Sequence, residues 1–262
     1  MYAGRAFLVR KIVQTGALWG FILMVVFLLM EWRKEYTGQA EVMAPVSFIV
    51  IDSGHGFFDA GKTGINGAQE KEINLAIAKK VRNNLLQQGY EVRMTREDDN
   101  TLYDGSRPST KQEDMQKRAA LMNDPGCLMA VSIHQNSFTA EKYKGAQVFY
   151  YTGSEESRRL AASIQQSFVE LLDDTNTRQE KANSDYYLLK KTTVPTVICE
   201  CGFLSNSEEA ALLVTDEYQE KAAWAITVGI LKYLKNIPET RTETAVKEKW
   251  QPRAACKGKV YI

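Results

Sequence analysis

The sequence predicts an α/β domain with a mixed, mostly parallel central sheet and helices on both faces, preceded by an N-terminal membrane-anchor helix. Three observations predict it. Short apolar runs alternate with segments of helical periodicity through the middle of the chain, the pattern of strand and helix units that build such sheets. The two histidines of the 262-residue chain, His55 and His134, each follow an apolar run, and open α/β sheets gather ligands at the carboxyl ends of strands. The stretch from Gly16 to Met30, GALWGFILMVVFLLM, carries no charge.

That N-terminal stretch, counted back through Ile12, has about the 20 residues needed to cross a bilayer. Arg5, Arg10 and Lys11 precede it, whereas Arg33 and Lys34 behind it are accompanied by Glu31 and Glu35. The positive-inside rule then favours a cytoplasmic N-terminus and an exported domain. The rival reading is a cleaved signal peptide, for which Gly38 and Ala40 offer a small-x-small site and which would give a secreted form. Residues 33–45 form a polar linker ending at Pro45. The chain thus divides into a cytoplasmic stub, anchor and linker (1–45), a central domain (46–237) and a charged, aperiodic flexible tail (238–262).

Within the domain the predicted order is strand 46–51, helix 70–88, strand 90–95, helix 112–123, strands 128–134 and 146–151, helix 155–173, strand 195–201 and helix 216–235, with polar loops at 96–111 and 174–194. With 44% hydrophobic and 25% charged residues, the chain can bury one sizeable core. Lys and Arg number 33 against 32 Asp and Glu, a balance that gives no nucleic-acid footprint. Cys127, Cys199, Cys201 and Cys256 lack the spacing of a structural zinc site or a disulfide framework.

The candidate site grows from the histidines. His55 sits between Gly54 and Gly56 in FIVIDSGHGFFD, where glycines allow a sharp turn and close approach of backbone to another group. His134 closes LMAVSIHQNS, where an apolar strand turns polar. Imidazole is the commonest protein metal ligand, and two imidazoles with one carboxylate leave an open position on zinc. The helix of GAQEKEINLAIAKKVRNNLLQQGY supplies a third ligand. At about 100° per residue, Ile73, Ile77, Val81 and Leu85 form one apolar stripe, with Glu70 at its centre and Glu72 on the opposite, solvated side. A carboxylate aimed inward is costly unless paired or bound to metal; one that merely favours the helix dipole is the plainer alternative. Glu200 interrupts the buried run TVPTVICECGFLSN, where a carboxylate without a task is again expensive. Cys199 and Cys201 point to the other face of that strand, since successive side chains alternate. Ser205 or Asn206 then signals a helix start.

The motifs IDSGHGFFDAG, QEKEINLAIA, VSIHQNS and ECGFLSN, in this order over about Val46 to Leu234, resemble those of the zinc-dependent N-acetylmuramoyl-L-alanine amidases that cut bacterial peptidoglycan. The resemblance implies one Zn²⁺ held by His55, Glu70 and His134, with Glu200 as the catalytic carboxylate. The segment NTRQEKANSDYYLLKKTTVP and the helix YQEKAAWAITVGILKYL are most similar to the short, singly anchored CwlD-type amidases of spore-forming bacteria. These remove stem peptides in preparation for muramic-δ-lactam formation in the spore cortex. The implied partners are a glycan strand bearing stem peptides and, through the N-terminal helix, the membrane; whether an activating protein is needed stays open. The implied location is extracytoplasmic, at the forespore cortex. Asn136 and Asp59 are candidates for orienting ligands or substrate, and Tyr186, Tyr187 and Arg178 for lining the groove. The sequence departs from the family at Ser53, usually proline, and at Phe57, usually a second glycine, both in the loop around His55. Two other readings predict different products: a zinc carboxypeptidase would release amino acids from wall peptides, and a catalytically silent wall-binding protein would release nothing.

Overall fold

The computed structural model describes residues 19–31, 47–99 and 110–236. Residues 19–31 form helix α1, considered by itself. Among the described residues no helix is long and apolar enough to cross a membrane. The start of the predicted span (12–18), the linker from residue 33 and the tail from residue 238 lie outside the described residues.

In the second unit the chain runs through β1 (Phe48–Ser53), α2 (Glu70–Gln87), β2 (Glu91–Met94), α3 (Lys111–Met122), β3 (Cys127–Asn136), β4 (Gln147–Tyr151), α4 (Glu155–Leu171), β5 (Lys181–Asn183), α5 (Tyr187–Lys191), β6 (Thr196–Phe203), α6 (Ser207–Leu213) and α7 (Asp216–Lys235). The six strands order as β2-β1-β3-β6-β4-β5. β2, β1, β3 and β6 are mutually parallel, β4 is antiparallel to β6, and β5 is parallel to β4. The sheet is therefore mixed and mostly parallel, as the alternating pattern predicts.

Alternation along the strands sorts two cores. Ile49 and Ile51 of β1, Met129, Val131 and Ile133 of β3, and Val197, Cys199 and Cys201 of β6 face the larger core, which α2, α4 and α7 close. The stripe Ile73, Ile77, Val81 and Leu85 is at most 3% exposed, and burying each such side chain contributes roughly 1.5–3 kcal/mol. Phe48, Val50 and Ala130 face the other way, against Ala119 and Met122 of α3 and Leu188 of α5. α4 and α7 cross closely at Gly229, where an added Cβ would fall 2.5 Å from the Ile164 Cα. Helix α6 starts where the sequence signals it: the Asn206 side chain accepts from the Glu209 N–H at 3.0 Å, a cap worth about 1 kcal/mol.

Two expectations are corrected. The predicted loop 174–194 contains β5 and α5. Strands β3 and β6 also run on past the predicted ends at His134 and Cys201, to Asn136 and Phe203. His134 and Glu200 are consequently register partners inside adjacent parallel strands, and their side chains emerge side by side on one face. The chain leaves β1 for β2 on one side and later fills β3 on the other. That reversal opens a crevice at the carboxyl ends of β1 and β3, the usual place for a ligand in such sheets.

Candidate metal centre

Beyond Ser53 the chain turns tightly under its own carbonyls. His55 has φ 61° and Phe57 has φ 51°, left-handed values that are costly for side-chain-bearing residues. The turn is held by cations from behind. Arg118 donates to the carbonyls of Ser53 (2.7 Å) and His55 (2.7 Å), and Arg96 donates to those of Ser53 and Gly54, both at 3.1 Å. Asn74 Nδ2 also donates to the Gly54 carbonyl. Arg118 in turn is paired with Asp52 at 2.6 Å and Asp114 at 2.7 Å. Asp52 also accepts from Thr95 Oγ1 at 2.7 Å and from the Ser132 hydroxyl.

Close packing around the imidazoles requires glycine at two points. A Cβ on Gly54 would lie 2.3 Å from His134 Cε1, and one on Gly61, itself at φ +70°, would lie 2.6 Å from Glu70 Oε2 and 2.7 Å from His55 Cδ2. Of the two departures in this loop, Ser53 has a local explanation, and nothing in the structure explains the phenylalanine at position 57. The Ser53 N–H donates to Thr95 Oγ1 at 3.2 Å, a bond that proline could not make. Phe57 keeps its left-handed backbone by donating its N–H to the Asp99 carbonyl (2.7 Å) while its own carbonyl accepts from Lys71 Nζ (3.0 Å).

Glu70, the first residue of α2, is 2% exposed and lies between the two rings. Its Oε2 is 3.2 Å from His55 Nε2 and its Oε1 is 2.9 Å from His134 Nδ1. Its oxygens also accept from the N–H groups of Lys62 (2.8 Å) and Gln135 (3.1 Å). The other nitrogen of His55, Nδ1, meets Asp59 Oδ2 at 2.9 Å, which fixes the ring and directs Nε2 toward Glu70. One donor atom each from His55, Glu70 and His134 all lie within 4.8 Å of one another. Burial pushes the Glu70 carboxyl upward, but hydrogen bonds and charge from His134 and His55 outweigh it and hold it well below the usual range. Asp59 behaves likewise: burial opposes, and the bonds to His55 and Lys111 prevail, bringing it to about 2.

Glu200 is treated differently by its surroundings. Burial raises its carboxyl to about 7, with the Glu70 charge adding to the rise and His134 and His55 opposing it. Its Oε2 is buried without a hydrogen-bond partner. His55, Glu70, His134 and Glu200 share one cavity of about 500 Å³, which Tyr186 and Tyr187 also line. Burial and the charges of Glu200 and Glu70 push the Tyr186 hydroxyl up to about 12. Two imidazoles and a carboxylate around a common point, beside an unpartnered buried carboxylate oxygen, are a donor set that fits a divalent cation such as zinc.

The structure thus brings all four principal sequence candidates together. Asp59 supports His55, and Asn136 lines the cavity while its Oδ1 accepts from the Ser137 N–H at 2.8 Å. Glu72 is exposed, whereas Cys199 and Cys201 are buried in the larger core, away from Glu200; Cys256 lies outside the described residues. Arg178 is a correction. The segment carrying it leads to edge strand β5, two strands from β6, and Arg178 lines a separate cavity, donating to Gln147 Oε1 at 3.0 Å and stacking over Phe203. Asp52, Asn74, Arg96 and Arg118 are functional neighbours that the sequence reasoning missed. Arg118 had a usable signal: it falls on the apolar side of α3, with Met115, Ala119 and Met122 at helical spacing.

Comparison with known proteins gives concordant matches. The family described as N-acetylmuramoyl-L-alanine amidase matches residues 49–232. The germination-specific N-acetylmuramoyl-L-alanine amidase of Bacillus subtilis is 35% identical over 229 residues, spanning 86% of this chain and 95% of that protein. Among solved structures, the CwlD amidase of Clostridioides difficile, determined in complex with the GerS lipoprotein, is 42% identical with a TM-score of 0.69, covering 72% of this chain and 98% of that one. An N-acetylmuramoyl-L-alanine amidase from Clostridium difficile 630 is 28% identical with a TM-score of 0.66, covering 74% and 100%.

Proposed function

The chain belongs to the N-acetylmuramoyl-L-alanine amidase family and is an enzyme of that activity, and we propose that it works through one zinc ion held by His55, Glu70 and His134, with Glu200 moving the proton. The observation that carries this reading is the meeting of those three donor sets within 4.8 Å in the cavity that also holds Glu200. When bound, zinc polarises the amide carbonyl and lowers the pKa of water from about 15.7 to about 7. Asp59 keeps His55 Nε2 turned inward. Glu200, in the same cavity, takes the proton of the attacking water and returns it to the amine of L-alanine as the bond to N-acetylmuramic acid breaks. One carboxylate beside the reacting amide serves both halves of that transfer, as base and then as acid.

The biological setting we propose is removal of stem peptides in the spore cortex, ahead of muramic-δ-lactam formation; the likeness to a germination-specific amidase supports it. In this reading residues 1–45 anchor the chain in the membrane and link it to an extracytoplasmic catalytic domain (46–237), with residues 238–262 as a tail. A lipoprotein is the class of partner proposed, by analogy with the complex formed by the C. difficile relative.

The test is mass spectrometry of purified peptidoglycan after digestion, with and without prior chelation and zinc restoration. Intact stem peptides freed from glycan, lost on chelation and regained with zinc, are expected. Single amino acids released from otherwise attached stems, or cleavage indifferent to chelation, would overturn the assignment.

A further inference from the structure

The cavity carries five carboxylates, Asp52, Asp59, Glu70, Asp114 and Glu200, against three cationic side chains, Lys62, Lys111 and Arg118. Two of the cations are committed. Arg118 is paired with Asp52 and Asp114, and Lys111 Nζ lies 2.9 Å from Asp59 Oδ2. Lys62 is exposed and, among the described residues, its ammonium makes no ion pair or hydrogen bond. Its backbone is nonetheless fixed at both ends: the N–H donates to Glu70 Oε2 at 2.8 Å, and the carbonyl accepts from the Glu70 N–H at 2.9 Å. A free cation on a stem of roughly 6 Å thus swings from a point locked to the central carboxylate of the site.

We propose that Lys62 forms a subsite for a carboxylate of the stem peptide, the free α-carboxylate of its second residue, and so sets which stems are cut efficiently. The proposal rests on the amidase reading above. Arg118 and Lys111 are held by carboxylates of the cavity, so among the described residues that line it Lys62 is the cation left free to meet the charge of an anionic substrate group. Reach agrees. The Lys62 N–H lies 2.8 Å from Glu70 Oε2, which is 3.2 Å from His55 Nε2, and the two residues of extended chain between the bond being cut and that α-carboxylate span about 7 Å, a length comparable with the Lys62 side chain. A charge-assisted hydrogen bond formed there in a cleft distinguishes carboxylate from carboxamide.

The experiment compares two muropeptides, one with the free α-carboxylate on the second stem residue and one with the corresponding carboxamide, as separate substrates. Wild-type enzyme is expected to favour the carboxylate by about fivefold to tenfold in kcat/KM. In K62A that ratio should fall to within about twofold of one, and K62R should restore it. The ratio, unlike an absolute rate, is insensitive to the fraction of folded or metal-loaded protein. No wild-type preference, or a preference that survives in K62A, overturns the subsite. A preference abolished by amidating the third stem residue instead also overturns it, by assigning Lys62 to a different carboxylate. Wild-type enzyme that frees neither stem overturns the amidase reading, and the subsite with it.

Discussion

Replacing Glu200 by Gln should stabilise the metal-free protein while removing its activity. Burial holds the folded-state carboxyl near 7, against an ordinary 4.5, so between those values the folded chain binds a proton that the unfolded chain has lost. Stability therefore falls as pH rises through this window, and the loss is complete above about pH 8. At about 1.36 kcal/mol per pH unit the gap amounts to about 3 kcal/mol. Gln has no such ionisation, and its inability to find a partner in place of the orphan Oε2 costs the same at every pH. The difference between E200Q and wild type should thus widen from near its acid value at pH 4 to about 3 kcal/mol higher at pH 8, roughly 6 to 12 °C in Tm for a domain of this size. Thermal or urea denaturation at both pH values checks it, on metal-free protein because a bound cation would itself favour the ionised carboxylate. A difference that does not change between pH 4 and 8 would refute the claim that Glu200 is forced toward neutrality by burial. With zinc loaded, the same substitution should lower kcat by about 10² to 10⁴ at unchanged metal stoichiometry.

Two further substitutions separate the metal site from its surroundings. G54A places a methyl group 2.3–2.8 Å from three atoms of the His134 ring; the ring must move, and zinc affinity measured by chelator competition should fall by about 10- to 100-fold, so unaltered affinity would show that the close approach is unimportant. H134A should deplete zinc by elemental analysis, whereas E72A should keep both metal and activity, since Glu72 is exposed on the far side of α2; a metal-depleted E72A would mean that the helix phase has been misread.

What the sequence made legible was whatever a single element encodes by itself. Helix α2 carries its own period, and that period alone separated Glu70 from Glu72. Strand β6 is recognisable because it is buried on both faces, and alternation placed Cys199 and Cys201 opposite Glu200. By contrast β5 has three residues, two of them exposed, and is a strand only because β4 offers it hydrogen bonds. Helix α5 has five residues, below the length at which propensity sustains a helix alone; packing of Leu188 and Leu189 into two different apolar clusters supports it. Arg178 was misassigned for the same reason, since its place depends on how the unseen edge strand docks.

The precision of the site belongs to a second layer that no local pattern displays. His55 and Phe57 occupy left-handed backbone, each costing of order 1–3 kcal/mol, and such a turn persists only if its surroundings over-determine it. Here they do: three successive carbonyls, from Ser53 to His55, accept from Arg96, Arg118 or Asn74. Those donors come from the end of β2, from α3 and from α2, segments that meet only in the folded state. Arg118 is itself tolerable in the interior because Asp52 and Asp114 neutralise it, and Asp52 reaches it only because β1 ends where α3 passes. Removing both partners would leave Arg118 a buried charge facing its full desolvation penalty. The imidazole geometry is therefore a property of the folded assembly, which is why the ligands could be found from their own motifs while the residues that aim them could not.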